Sequence, residues 1–303
     1  MKKNYPITAT FLDEITYDIP SSNWTRKQWC KDLDHMKKVG IDTIVFIRGG
    51  FYDKAVFPSK HFSNLQEEND DFAGMIFQEA AKRNMKVFMG LYISNITWND
   101  GDAQGEIEKN KVFVEEVLER YGNMPSFEGW YIPHETCDRG GNIKETMGGL
   151  AALCKEKSPD KKVLVSPFFR TSVTLGEELA YSPERMAEEW DEIWEYGGQY
   201  IDYCAFQDGT APLEQLADYF IAMKRVCDKY NMQLWANVET FERDVRRMYY
   251  PIPFDLLRKK INVLRPYVDK MMTFEFSHFL SPQSIYPSAR NLNKVYRQYY
   301  KKK

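Results

Sequence analysis

Two glutamates close apolar, aromatic runs. Glu135 ends WYIPHE (130–135), after Trp130, Tyr131 and Pro133, and Glu239 ends LWANVE (234–239), after Trp235, Ala236 and Val238. Proline cannot donate to a central ladder, so the first run must leave its strand near Pro133. A carboxyl in such surroundings has its pKa raised and can carry a proton near neutrality. Two carboxyls flanking one bond, one protonated and one ionised, are what glycoside hydrolysis requires. The plainer alternative is that each glutamate is solvated or ion-paired just beyond its strand.

Other polar groups fall at the ends of similar runs. They are Asp13 and Glu14, Arg48, Tyr92, His134, the pair Gln207 and Asp208, Asn237, and Glu275 with His278. Arg48 could hold Glu239 ionised, or pair with Asp13 or Glu14 instead. Asp13 and Glu14 could equally belong to a loop and nothing more. Glu275 lies between Phe274 and Phe276 and reads as still inside its strand. Phe51, Tyr52, Trp98, Phe241, Tyr249 and Tyr250 are candidate platforms for sugar rings, whose C–H faces stack on aromatic planes. Packing at a rim is the competing account of each. Arg243, Arg246 and Arg247 would suit an acidic saccharide, or form an ordinary charged face.

Eight β-rich runs carry these residues, at 7–15, 43–50, 86–93, 127–135, 162–169, 200–208, 233–239 and 271–279. Helical patterns lie between them. Thr25 and Gln28 make a capping box ahead of an apolar stripe at Trp29, Leu33 and Met36. Ser182 and Pro183 open a helix that brings Trp190 and Trp194 one turn apart. Further stripes cover 70–84, 104–121, 143–157, 213–229, 254–265 and 288–299. Strands alternating with helices imply right-handed crossovers and a parallel sheet. Eight units in this length favour an α/β chain folded as a single (β/α)8 TIM barrel over 1–303. An open, doubly wound sheet would place glycines after its first strand, and FLDEITYDIPSSNW has none. No linker or composition break marks a second domain.

Composition narrows the chemistry. The net charge of −3 over 303 residues leaves no footprint for nucleic acid or an anionic membrane. No apolar run is long enough to span a bilayer. Five cysteines at irregular spacing contain no CxxC pair, which favours a reduced, cytoplasmic setting. MKKNYPITATFLDEI lacks the pattern of a signal peptide, although a trimmed secreted or periplasmic protein would read the same. No strand end offers the lysine of a Schiff-base aldolase, and neither a His-x-His pair nor HExxH occurs. Nothing calls for a cofactor or metal, apart from an alternative site at His134, Glu135, Asp138 and His278. The sequence is silent on oligomeric state.

ATFLDEI, the W-x4-W of the first helix, GIDTIVFIRGGFYDKAVFPS and GWYIPHE resemble an uncharacterised bacterial family of glycosidase-like barrels. That family is known mainly as a domain of unknown function, and the likeness spans nearly the whole chain. Glutamates ending strands four and seven are similar to those of the clan A glycoside hydrolases. The resemblance implies Glu135 as acid/base, Glu239 as nucleophile and Arg48 as the nucleophile's support. Two positions depart from the clan. His134 stands where an asparagine usually contacts the sugar, and Gln207-Asp208 replaces a tyrosine after strand six. The expected function is therefore retaining hydrolysis of an oligo- or polysaccharide. The alternatives are a carbohydrate-binding barrel without catalysis, and a metal-assisted hydrolase using His134, Glu135 and His278. Sugar and linkage are not legible.

Overall fold

Runs rich in Val, Ile and Phe pair side by side, and amphipathic helices cover their outer face. The computed structural model describes residues 5–16, 20–21, 23–64, 71–94, 96–138, 140–243 and 248–301. Its central strands are β1 (Ile7–Leu12), β2 (Thr43–Phe46), β3 (Lys86–Gly90), β4 (Phe127–Ile132), β5 (Lys162–Val165), β6 (Tyr203–Gln207), β7 (Gln233–Asn237) and β8 (Lys270–Thr273). Each pairs in parallel with its sequence neighbours, and β8 returns to β1 to close the barrel. The longer helices are α1 (Arg26–Lys38), α2 (Phe72–Lys82), α3 (Ala103–Tyr121), α4 (Ile143–Lys157), α5 (Pro183–Trp194), α6 (Leu216–Lys229), α7 (Phe254–Leu264) and α8 (Pro287–Lys301). This is the (β/α)8 barrel expected from the alternation.

The local signals act as anticipated. Gln28 accepts a hydrogen bond from the Thr25 amide at 2.9 Å, and the α1 stripe at Trp29, Leu33 and Met36 is buried. Ser182 accepts from the Arg185 amide at 3.2 Å, with Pro183 in the first turn of α5. Alternation splits the strand side chains into two layers. Ala9, Phe11, Val45, Ile47, Phe88, Tyr131, Leu164, Ala205, Trp235 and Met272 fill the barrel interior. Their neighbours along the strands, Trp130 among them, pack outward against the helices, which contribute the fully buried Trp29, Trp190 and Trp194. Truncating one of these large rings to alanine costs about 3–5 kcal/mol. Low in the barrel, Trp235 stacks on Tyr203 with ring centroids 4.5 Å apart.

Several runs stop pairing earlier than their composition suggests. β4 ends at Ile132 rather than at residue 135, and β8 ends at Thr273 rather than at residue 279. After β8 the Phe276 amide donates to Thr10 Oγ1 at 2.9 Å, and Phe276–Leu280 coil into a helical turn. Glu275 therefore lies beyond its strand and not within it. Two insertions rise above the mouth. One is a small sheet of Gly50–Phe51, Lys54–Ala55, Ser63–Asn64 and Tyr92–Ile93. The other is a hairpin of Phe241–Arg243 with Tyr249–Pro251.

Candidate active site

The strand C-termini open into a cavity of about 430 Å³. Its polar lining includes Asp13, Arg48, Glu135, Gln207, Asn237 and Glu239. Its aromatic lining is formed by Phe11, Phe241, Tyr249, Phe274, Phe279 and Tyr286. The rings are contiguous: Phe241 meets Tyr249 at 4.7 Å between centroids and Phe279 at 5.3 Å, and Phe279 stacks on Tyr286 at 5.9 Å. A pocket lined by both polar groups and aromatic rings matches the two-faced character of a sugar ring.

Glu135 enters from the loop after β4 as a half-buried side chain. Loss of solvent raises its pKa, while the Arg48 charge and hydrogen bonds from Gln207 and Tyr131 oppose the rise. The Tyr131 hydroxyl donates to Glu135 Oε1 at 3.2 Å. Glu239 follows β7 and is only 5% exposed. Burial, then the neighbouring Asp208, push its pKa up to about 8, against the pull of Lys260 and Arg243. Its carboxyl occupies space that only a glycine leaves open, because a Cβ on Gly209 would fall 1.6 Å from Glu239 Oε2.

The Arg48 charge favours ionised Glu135, while the largest charge effects on Glu239 come from Asp208, Lys260, Arg243 and Glu242. Arg48 donates to Thr16 Oγ1 at 3.1 Å and lies over the Phe51 ring at 5.2 Å. Among the described residues it has no ion pair with Asp13 or Glu14. Asp13 itself accepts from the amides of Ile15 and Thr16, at 3.1 and 3.0 Å, which shapes the loop it lines.

Other expected contact residues lie outside the cavity lining. His134 is buried, with Nε2 2.9 Å from Glu106 Oε1 on α3. Burial alone would raise the Glu106 pKa, but His134, Ser94 and Thr97 outweigh it and bring it to about 2. Trp98 packs edge-on against His134 at 4.8 Å and does not reach the cavity. The Tyr92 hydroxyl donates to the Tyr52 carbonyl, and neither ring lines the site. Asp208 is fully buried behind Glu239. Glu14 and Glu275 form a buried group with Ser21 and His278, of which only His278 lines the cavity. Arg246 and Arg247 lie outside the described residues, while Arg243 lines the mouth over Phe241 and Tyr249.

The metal-assisted alternative needs His134, Glu135 and His278 at one point, yet His134 is committed to Glu106 and absent from the cavity wall. No cluster of three metal-ligating side chains occurs among the described residues. Glu106 and Lys260 were not singled out in the sequence. Both interrupt apolar helical stripes, Glu106 ahead of Asn110 and Phe113, Lys260 between Leu257 and Leu264. A charge on a buried stripe is the signal that could have found them.

Fold and mouth together define a (β/α)8 barrel of the kind used by glycoside hydrolases, with acidic groups gathered at the C-terminal ends of its strands. Residues 7–286 match the family described as a domain of unknown function (DUF4434), and the chain belongs to that family. No curated protein matches it. A crystal structure described as a "putative alpha-L-fucosidase" from Bacteroides thetaiotaomicron is 39% identical, with a TM-score of 0.91 over 100% of this chain and 95% of that one. An intracellular xylanase from Thermoanaerobacterium saccharolyticum shares the fold at 11% identity and a TM-score of 0.53, covering 90% of this chain and 86% of its own. A beta-galactosidase from Marinomonas ef1 does so at 10% identity and 0.59, over 97% of this chain and 59% of its own. No described helix is long and apolar enough to cross a membrane.

Proposed function

We propose that the protein is a retaining glycoside hydrolase. Glu135 serves as acid/base and Glu239 as nucleophile, and the substrate is a glycoside seated against the cavity's polar and aromatic lining. The observation that carries this reading is that Glu135 and Glu239, from strands four and seven, line the same cavity. Loss of solvent raises the Glu135 pKa, the direction a proton donor needs, and the Tyr131 hydroxyl donates to its carboxyl. Glu239, raised to about 8 by burial and Asp208, must lose its proton before it attacks, and Lys260 and Arg243 favour that ionised form. The described function of the Bacteroides thetaiotaomicron protein makes α-L-fucosides the first substrates to try. An apolar methyl in place of a hydroxymethyl group would also suit the ring-lined wall.

The test is a panel of aryl glycosides and polysaccharides, with the anomer of the product followed by NMR. Hydrolysis with retention is expected, and Glu135→Gln and Glu239→Gln should each lower kcat by about 100-fold or more. Saccharide binding that survives Glu135→Gln, with no hydrolysis of any compound, would instead identify a carbohydrate-binding barrel.

A further inference from the structure

At the cavity wall and behind it, three ionisable side chains are buried together. Asp208, in the turn after β6, is 0% exposed, Lys260 on α7 is 6% exposed and Glu239 is 5% exposed. Lys260 Nζ lies 3.3 Å from Asp208 Oδ1, which also accepts from the Glu239 amide at 3.0 Å. Asp208 Oδ2 is buried with no hydrogen-bond partner, and the Lys260 ammonium reaches Glu242 Oε1 only at 3.8 Å. Neither Asp208 nor Lys260 lines the cavity. A buried lysine costs free energy unless it is paired, and two buried carboxylates beside one ammonium leave one charge over.

We propose that Asp208 and Lys260 form a buried charge pair that sets the ionisation of Glu239, making both of them positioning residues for the reaction. The proposal rests on Glu239 being the strand-seven member of the catalytic pair. The ammonium favours ionised Glu239 and the aspartate opposes it, so ionisation of either carboxyl resists ionisation of the other. The groups facing Glu239 are Asp208 after β6, Lys260 on α7, and Arg243 and Glu242 on the hairpin. Glu135, Asp13 and Arg48 line the same cavity. Asp208 and Lys260 are buried and outside the cavity lining, so the pair acts the same way in the empty and the occupied site.

The experiment follows the Glu239 carboxyl by carbon-13 NMR of glutamate-labelled protein, assigned by the signal missing in Glu239→Gln. Lys260→Met should move its midpoint up by about 1 pH unit or more, and Lys260→Arg should keep it near the wild-type value. Asp208→Asn should move it down, and the double variant Asp208→Asn/Lys260→Met should lie above Asp208→Asn alone. A midpoint unmoved by Lys260→Met, or moved equally by Lys260→Arg, overturns the proposal. If Lys260→Met does not fold, equal midpoints in Asp208→Asn and the double variant do the same. The readout needs no substrate. A failed glycoside screen would therefore leave this result standing, and a null titration would leave the glycosidase reading standing.

Discussion

At the scale of single residues, the site is a matter of what each carboxyl is allowed to touch. Glu135 and Glu239 were both conspicuous in sequence because each ends an aromatic run. Their surroundings were less legible, since these come from residues far away in the chain. Arg48 illustrates the difference. Its place after strand two was readable, but its contacts with Thr16 and the Phe51 ring, and its pull on Glu135, were not. Gly209 was invisible as a functional residue, because only the folded chain brings it against Glu239 Oε2. Gly209→Ala should displace that carboxyl and lower kcat by about 10-fold or more while leaving substrate affinity nearly intact, by the usual penalty of a misplaced catalytic group. Steady-state kinetics on the substrate found in the screen would show it, and an unchanged kcat would remove the close approach from the mechanism.

Among the elements, the loop after β4 is the one whose purpose changed most between sequence and structure. His134 stands where the clan A resemblance implied a sugar contact, but it turns inward to Glu106 on α3, within a group that includes Ser94 and Thr97. The loop carrying Glu135 is thus moored to a helix through a buried polar cluster. His134→Ala removes a hydrogen-bond partner of the fully buried Glu106 carboxylate, which keeps Ser94 and Thr97. Unfolding in urea should then show a loss of about 1.5–3 kcal/mol, the scale for a hydrogen bond to a charged group. Glu106→Gln should cost less, because an amide still bonds to its neighbours. Equal stability of His134→Ala and wild type would show that the mooring contributes nothing. The helices themselves were the most readable elements. Thr25, Gln28, Ser182 and Pro183 act through neighbours three or four residues away, and such local chemistry survives without knowledge of the fold. The end of β8 was not readable, because Phe274 and Phe276 are good strand residues whose pairing is cut short by a hydroxyl on Thr10.

For the whole molecule, the gathering of buried carboxyls at one end of the barrel ties stability to pH. Glu239 is raised from 4.5 to about 8, chiefly by burial, and Glu14 from 4.5 to about 7, again by burial. Between the unfolded and folded values the native state holds more protons than the unfolded one. Their contribution is therefore complete below about pH 4.5 and is lost as the pH rises through 7 to 8. His278 works in the other direction. Burial lowers its pKa from 6.5 to about 3, so its neutral form is stable above 6.5 and costs stability below it. Melting temperatures of wild type and Glu239→Gln measured from pH 5 to 9 should diverge at the alkaline end, with the variant the more stable there. Parallel curves would mean that Glu239 is ionised throughout. The barrel as a whole was legible from the alternation of eight strands and helices, because that pattern has few topological solutions. The carboxyl cluster was not, since Glu14, Ser21, Glu275 and His278 come from opposite ends of the chain and meet only when the last strand closes on the first.

That closure also decides the traffic. Tyr131, Phe88 and the stacked rings of Tyr203 and Trp235 plug the barrel beneath the cavity, so the well has a floor. Nothing leaves through the barrel axis. Under the proposed reaction, the sugar unit seated deepest must back out past the rings before another can take its place.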